Sequence, residues 1–289
     1  MNLQQIKRCS GYIIGLFLFF APFAYYQKAL SAWLGGPQAA EIHDFCLRIP
    51  LQNILTGKGM ELLSVGFISL FLLVTTAFLF GPIFCGRLCA SGALPEYLSK
   101  IVPNKFQIDW QRSVNPVPIR YGFFIGYLMT PFLGGTIACA LCNYNLTEKL
   151  LVGTVQGDIG PLLSTAIITG ILWLGIFGIM AKGGRGFCSY LCPVGALQSA
   201  IHNVGARLGF THKLRFSEGK CVNCKQCVKQ CPMGALSHQN AALSYEIYNC
   251  ITCRQCETVC PKKAISYGTG ERGWQKESLS KDTLLEPTR

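Results

Sequence analysis

The sequence predicts two parts: a membrane α-helical domain of four transmembrane helices, followed by a small α+β domain. Two observations predict this division. Long apolar runs recur four times in the first two thirds of the chain, whereas the last third carries a dense and regular series of cysteines. We expect the helical domain to occupy residues 1–200, the α+β domain residues 215–268 and a disordered polar tail residues 269–289.

The composition narrows the class of protein. Half of the 289 residues are apolar and 14% are charged, which is unusual for a soluble protein. The 26 Lys and Arg against 14 Asp and Glu give a net charge of +12. A basic balance can indicate nucleic-acid binding, but no nucleic-acid motif accompanies it, so we expect no nucleic-acid partner. Basic residues on the cytoplasmic loops of a membrane protein explain the charge better.

Four apolar runs are each long enough to span a bilayer. They extend over residues 11–30, 60–84, 119–140 and 159–181. The first run follows Lys7 and Arg8, a pattern that also fits a signal peptide, although the later runs favour an uncleaved anchor. Lys and Arg concentrate before the first run, between the second and third, and after the fourth. The positive-inside rule therefore predicts a multi-pass protein of the bacterial cytoplasmic (inner) membrane, with the α+β domain in the cytoplasm.

Eight cysteines with a repeated spacing dominate the α+β domain. Each copy reads Cys-x2-Cys-x2-Cys-x3-Cys-Pro, from Cys221 to Pro232 and again from Cys250 to Pro261. This is the spacing of bacterial ferredoxins, which hold cubane iron–sulfur clusters. Structural zinc sites also use Cys-x2-Cys, but they seldom need three cysteines at this spacing and a fourth before proline, twice over. The sequence therefore predicts two [4Fe–4S] clusters in an electron-transfer module.

The ligands of the two clusters are predicted to cross over, because the fourth cysteine of each copy binds the cluster of the other copy. One predicted site comprises Cys221, Cys224, Cys227 and Cys260. The other comprises Cys250, Cys253, Cys256 and Cys231. Residues 235–237 and 264–267, one behind each copy, fit the short strands of such a module.

A second repeat lies in the helical domain. Phe84-Cys85-x2-Leu88-Cys89 aligns without a gap with Phe187-Cys188-x2-Leu191-Cys192, and Gly-Ala-Leu follows at the same distance in both copies. Within each copy the cysteines are four residues apart, so a helix would place them on one face. Packing of the two copies would then bring four thiols together as candidate metal or cluster ligands. A reversible dithiol or docking role and inert packing remain open alternatives.

Three further cysteines are predicted near the outer membrane face. Cys46, Cys139 and Cys142 together with His43 form a plausible ligand set for a soft metal or a cluster. A disulfide is the alternative in an oxidising compartment. No histidine lies inside a predicted span and no Cys-x-x-Cys-His motif is present, so we expect no haem.

The combination of motifs resembles the NapH/MauN family of iron–sulfur membrane quinol dehydrogenase components. The resemblance covers residues 1–268 and rests on the four predicted spans, the two Cys-x3-Cys motifs and the double ferredoxin run. The family has proline after each Cys-x3-Cys motif; this chain keeps Pro193 but has Ala90 at the first.

The resemblance implies a polyferredoxin-like electron-transfer subunit of an oxidoreductase chain. Such a subunit passes electrons between the quinone (quinol) pool in membrane lipid and partner redox proteins. The sequence itself shows no catalytic residue. A different class of function stays open: a redox biogenesis or regulatory factor that reduces a metal or senses redox state during assembly of another complex.

Overall fold

The computed structural model describes residues 3–19, 54, 57, 65–130, 132, 142–143, 146–147, 166–239 and 242–274. These residues form a helical part followed by a cysteine-rich module of short strands and helices. The helical part comprises α1 (Leu3–Phe19), α2 (Val65–Phe80), a π-helical turn (Phe84–Leu88), α3 (Ala90–Ser99), a 3-10 turn (Asn104–Phe106), α4 (Trp110–Ser113), α5 (Pro116–Met129), α6 (Ala166–Gly170), a π-helix (Ile171–Ile179), α7 (Gly186–Tyr190) and α8 (Pro193–Gly205).

The prediction of four transmembrane helices is wrong for this structure. Within the described ranges, no helix combines the length and the apolar character needed to cross a membrane. Helix α2 has 16 residues, about 24 Å at 1.5 Å per residue, against roughly 30 Å of hydrocarbon. It ends where Gly81, with φ +75°, and Pro82 follow. Within the described part of the fourth apolar run, which begins at residue 166, five α-helical residues are followed by nine π-helical residues.

The helical part is held together by close backbone approaches. Helix α8 packs along α2, and Gly205 lies so near the backbone of Phe78 that a side chain would not fit. Helix α1 packs in the same way on the π-helical turn Phe84–Leu88, where Gly15 faces the backbone of Leu88. These contacts fix the position of both Cys-x3-Cys segments, because the first starts within the packed π-helical turn and the second directly precedes α8.

The C-terminal module contains two antiparallel strand pairs. Its elements are β1 (Lys213–Phe216), a 3-10 turn (Glu218–Lys220), α9 (Gln226–Lys229), β2 (Leu236–Gln239), β3 (Ala242–Tyr245), a second 3-10 turn (Ile247–Asn249), α10 (Gln255–Thr258) and β4 (Ile265–Gly268). Strand β1 pairs with β4, with Lys213 opposite Gly268, and β2 pairs with β3, with Leu236 opposite Tyr245.

Every element of this module occurs twice, 29 residues apart. We call residues 213–239 the first half and residues 242–268 the second half. The repeat extends to the backbone: Asn223 and Lys225 have positive φ, and so do their counterparts Thr252 and Arg254. Left-handed residues at these places turn the chain sharply between successive cysteines. Because the outer strands pair β1 with β4, the two halves close on each other around one apolar core.

Candidate functional site

The first cavity of the module is lined by four cysteines that come from both halves. They are Cys221, Cys224, Cys227 and Cys260. The first three surround the loop that leads into α9, and Cys260 arrives from the second half. The amide of Ala264 donates a hydrogen bond to Cys260 Sγ at 3.2 Å. The structure thus brings together the four residues that the crossed spacing predicts for one cluster.

The second cavity is lined by Cys231, Cys250, Cys253 and Cys256, in the same crossed arrangement. The amides of Ala235 and Thr252 donate hydrogen bonds at 3.3 Å to Cys231 Sγ and Cys250 Sγ respectively. Burial raises the pKa of the Cys231 thiol to about 12, and neighbouring Cys253 adds to the shift. Three buried thiols and the half-buried Cys231 repel one another when ionised, and they are well suited to bind a cationic iron cluster, which stabilises the thiolates.

Buried polar atoms around the cavities also fit a cluster. Tyr245 Oη lines the second cavity, lies close enough to Cys250 to lower the pKa of that thiol, and has no well-aligned hydrogen bond among the described residues. His238 Nε2, beside the first cavity, is likewise buried without a partner in the described chain. Sulfur atoms of a cluster would give such donors an acceptor. In the described ranges, no three His, Cys, Asp or Glu side chains converge tightly enough for a single metal ion.

The two Cys-x3-Cys segments meet in the helical part and form what we call the cysteine quartet. Its members are Cys85, Cys89, Cys188 and Cys192. Neither pair lies on one continuous helix, as the spacing suggested. Cys85 belongs to the π-helical turn and Cys188 to α7, whereas Cys89 and Cys192 are the residues that precede α3 and α8. The helix therefore breaks between the two cysteines of each pair.

Electrostatic interactions show that the four thiols are neighbours. The pKa of Cys85 is raised by burial and then by Cys192, Cys89 and Cys188. Burial raises the pKa of Cys188 to about 11, against the opposing effect of Arg185. The quartet is thus a thiol-rich site beside a cation, in which Cys85 is buried and the other three cysteines are half-buried.

Backbone amides at the starts of α3 and α8 favour the thiolate form of the quartet. The amides of Gly92 and Ser91 lower the pKa of Cys89, although burial outweighs them and leaves it at about 11. The amides of Gly195 and Val194 act in the same way on Cys192. Because the first amides of a helix point out of its N-terminus, both helices direct partial positive charge at the quartet.

A buried ion cluster holds the quartet in place, and the sequence analysis did not find it. Glu96 Oε2 accepts hydrogen bonds from Arg8 Nη2 at 3.0 Å and Arg185 Nε at 2.7 Å. Burial opposes ionisation of Glu96, but Arg185 and Arg8 outweigh it and lower the pKa of this carboxyl. Arg185 Nη1 also donates to the Cys85 carbonyl at 2.8 Å, and Arg8 Nε to the Gly86 carbonyl at 3.2 Å. All three charges lie outside the apolar runs, and no sequence pattern joins them.

The quartet adjoins the second cavity directly. Cys85 packs in one buried cluster with Met233, Ile251 and Cys253, and Cys188 borders the same cluster. The Gly86 backbone lies against the Ile251 carbonyl, and a Cβ at this position would be 3.0 Å from Cys253 N. The quartet, the second cavity and the first cavity therefore follow one another through the molecule.

The predicted outer ligand set is described only in part. Cys142 is half-buried, whereas His43, Cys46 and Cys139 lie outside the described residues. A metal, cluster or disulfide among these four residues stays a prediction.

Two family models match the chain in the regions that carry the cysteines. A 4Fe-4S dicluster domain matches residues 220–265, which include both cavities of the module. A 4Fe-4S binding domain matches residues 62–109 and again residues 165–211. The second model therefore covers both Cys-x3-Cys segments and confirms that they are copies of one unit.

Several curated proteins are similar to most of this chain. An uncharacterized protein of Methanocaldococcus jannaschii is 28% identical over 66% of this chain and 74% of its own length. The methylamine utilization ferredoxin-type protein MauN of Methylorubrum extorquens is 27% identical over 63% of this chain and 58% of its own. The putative electron transport protein YccM of Escherichia coli is 23% identical over 62% and 49%. No solved structure matches.

Proposed function

Because this chain is a NapH/MauN-type iron–sulfur protein of the ferredoxin type, with [4Fe–4S] clusters, we propose that it passes electrons between the quinone pool and partner redox proteins. The clusters supply one-electron chemistry when bound. The residues of this chain hold the clusters, exclude water from the inner sites and fix the order of the sites.

One observation carries the proposal: the contiguity of the quartet, the second cavity and the first cavity. Cys85 and Cys253 share one buried cluster, and the second and first cavities exchange their fourth cysteines. A cluster protein that only stored or sensed iron would need no third thiol site in contact with the second. Three adjoining sites suit transport of electrons from a buried end to an exposed end.

The quartet holds a third cluster in this proposal. The four thiols would supply the ligands, and the nearby guanidinium of Arg185 and the amides of two helix N-termini would stabilise the negative charge of a cluster with cysteine ligands. A cubane takes one thiolate at each of four separate irons, so its ligands stand further apart than those of a single ion.

Exposed apolar side chains support a quinone and lipid partner. Ile13, Ile14 and Phe17 of α1 are exposed, as are Phe71 and Leu72 of α2. Large apolar side chains on a surface mark contact with lipid, an apolar ligand or a partner subunit. We propose that these faces meet the quinol-containing lipid phase. That the module faces the bacterial cytoplasm stays part of the proposal.

Iron content and EPR of the anaerobically purified full chain test the third cluster. Wild type should carry about twelve iron atoms, four for each of three cubanes. Cys85→Ser and Cys188→Ser should each reduce this to about eight, because a shared site needs both segments. Cys9→Ser changes a half-buried cysteine outside the quartet and serves as the control. About eight irons in wild type, with four alkylatable quartet thiols, would show a dithiol or packing role instead.

Quinol-dependent reduction tests the physiological reaction. Adding quinol to anaerobic membranes that contain the protein should produce the EPR signal of reduced clusters. Clusters that are reduced by dithionite and never by quinol would contradict the quinone step and favour a biogenesis or regulatory factor.

A further inference from the structure

The two halves of the module expose the same face very differently. Val222 in the first half is 57% exposed, whereas its counterpart Ile251, 29 residues later, is 3% exposed. Cys224 is exposed, whereas its counterpart Cys253 is buried. The loop between the first and third cysteine of each copy is therefore open in the first half and covered in the second.

The helical part of the chain itself covers the second half. The π-helical turn Phe84–Leu88 lies on Ile251 and Cys253, and Met233 is buried in the same contact. The segment that covers this face of the second half carries Cys85 of the quartet. In the second half the face is therefore a surface on which a segment with candidate cluster ligands packs. The equivalent face of the first half has no such cover among the described residues.

The open face is strongly basic. Five exposed lysines lie in or next to the cysteine loops that bound the first cavity: Lys220, Lys225, Lys229, Lys262 and Lys263. The positions related to them by the 29-residue repeat hold Asn249, Arg254, Thr258, Met233 and Gly234. Of these five counterparts only Arg254 is a cation, and Glu257 pairs with it at 2.6 Å. None of the five lysines forms an ion pair within the part of the chain that the structure describes.

We infer that the exposed face of the first half, centred on Val222 and Cys224 and bordered by Lys220, Lys225 and Lys262, is the docking site for a small acidic redox protein. We call this surface the lysine face. The inference rests on the proposed electron-transfer function and names the kind of partner at its exposed end. An acidic protein complements the lysines, and Val222 supplies an apolar centre to the contact.

Other polyanions fit the observations less well. Anionic lipid would be attracted by the lysines, but it accepts no electrons from a cluster bound in the cavity at the centre of the face. A nucleic acid would also be attracted by the lysines and does not accept electrons either. A redox protein uses both features of the surface, because docking there places its own cofactor next to the first cavity, with one electron passing in each encounter.

The test compares charge reversal on the lysine face with charge reversal elsewhere. The full chain with its clusters carries either Lys220→Glu, Lys225→Glu and Lys262→Glu, or the control set Lys7→Glu, Lys105→Glu and Arg207→Glu. The control residues are exposed and lie outside the lysine face, and both sets change the net charge equally. EPR of each variant first shows that the clusters are intact.

The probe is an acidic flavodoxin. Equilibrium binding of flavodoxin to the protein is measured directly. This is needed because lysines near a cluster also affect the reduction potential of the cluster, and with it the rate of electron transfer. The second-order rate constant of flavodoxin reduction by the dithionite-reduced protein is measured alongside it. Electrostatic steering changes association rates by about 10-fold to 1,000-fold. We expect the lysine-face variant to lose roughly 10-fold to 100-fold in both quantities at low salt, with the control within about 2-fold. At about 1 M salt, where charges more than roughly 3 Å apart are screened, the variants should converge.

Two further variants make the outcome decisive. Replacing the same three lysines by glutamine makes half the charge change and should give about half the effect on a logarithmic scale. Val222→Ser, which leaves the charge unchanged, should weaken binding without altering its salt dependence.

Equal losses in the lysine-face and control sets would overturn the inference, because net charge alone would then explain binding. Wild type that binds phosphatidylserine vesicles through these lysines and does not bind flavodoxin would also overturn it. Failure of the proposed function looks different: the clusters would be absent by EPR, or present and not reduced by quinol, whatever the state of the lysine face.

Discussion

Residues 213–239 and 242–268 share the same strand, turn and short helix, yet one half faces outward and the other is enclosed. The difference arises outside the repeat. Gly86 and Cys85 cover the second half, whereas Val222 of the first half remains exposed. Cysteine spacing and left-handed turns thus determine that each half can bind a cluster. In the function proposed above, neighbouring segments determine whether that cluster exchanges electrons inside the chain or with a partner.

The largest effect should come from Glu96→Gln. This change breaks the ion cluster that holds the π-helical turn Phe84–Leu88 against the second half. The change leaves Arg8 and Arg185 buried with no carboxylate between them. Loss of one partner of a buried pair costs about 3–5 kcal/mol. Urea unfolding should show this loss, and the second cluster should bleach faster in the presence of an iron chelator than in wild type.

Asp109→Asn is the control for Glu96→Gln. It removes a partly exposed pair with Lys182 and should cost at most about 1 kcal/mol. Similar losses in the free energy of unfolding of both variants would mean that the buried ion cluster has no special role in holding the π-helical turn against the second half.

Gly86→Ala should have the next largest effect, because a Cβ at this position meets the Ile251 carbonyl. Separating the turn from the second half should cost roughly 1–3 kcal/mol. Gly219→Ala in the first half is the control: no atom lies within 4 Å of its Cβ position, and stability should stay within about 0.5 kcal/mol. Denaturant unfolding measures both. Equal losses of stability in Gly86→Ala and Gly219→Ala would contradict the conclusion that the second half is covered and the first half is open.

The smallest effect concerns Tyr245, whose hydroxyl faces Cys250, whereas the counterpart in the first half is Phe216. Both rings stack on Trp274 at 4.7 Å between centroids, so Tyr245→Phe keeps the packing. A hydrogen bond to a thiolate stabilises the more negative, reduced cluster. Its loss, about 0.5–1.5 kcal/mol, should lower the potential of the second cluster by roughly 20–60 mV.

An EPR-monitored redox titration measures the shift, and Phe216→Tyr is the reciprocal variant. It should raise the potential of the first cluster and leave the second unchanged. A Tyr245→Phe titration that matches wild type would show that the hydroxyl does not interact with the cluster ligands.

Local spacing predicted the module well, and the reason is that its structure is local. Three cysteines at short intervals need tight turns, and the structure has residues with positive φ between them. The strands Leu236–Gln239 and Ile265–Gly268 lie within a residue or two of the predicted segments. The remaining strands, β1 and β3, were not predicted. Strand β1 pairs with β4 across the module, so no local pattern indicates it, whereas β3 pairs with its neighbour β2 in a local hairpin that the cysteine spacing does not reveal.

Features that depend on distant contacts were not predictable from apolar runs or spacing. Hydropathy does not reveal that α2 ends at Phe80 or that the fourth run becomes a π-helix at Ile171. The quartet was predicted as a juxtaposition, but the breaks at Cys89 and Cys192 depend on how each segment packs. Glu96 lies about 90 residues from each of its two arginines, so no local pattern joins them.

The exchange of the fourth cysteines also determines the order in which the sites are completed during synthesis on the ribosome. The quartet has all of its thiols once Cys192 is made, and the second cavity has all of its own at Cys256. The first cavity must wait for Cys260, although its other three cysteines end at Cys227. The enclosed sites are therefore complete before the exposed one.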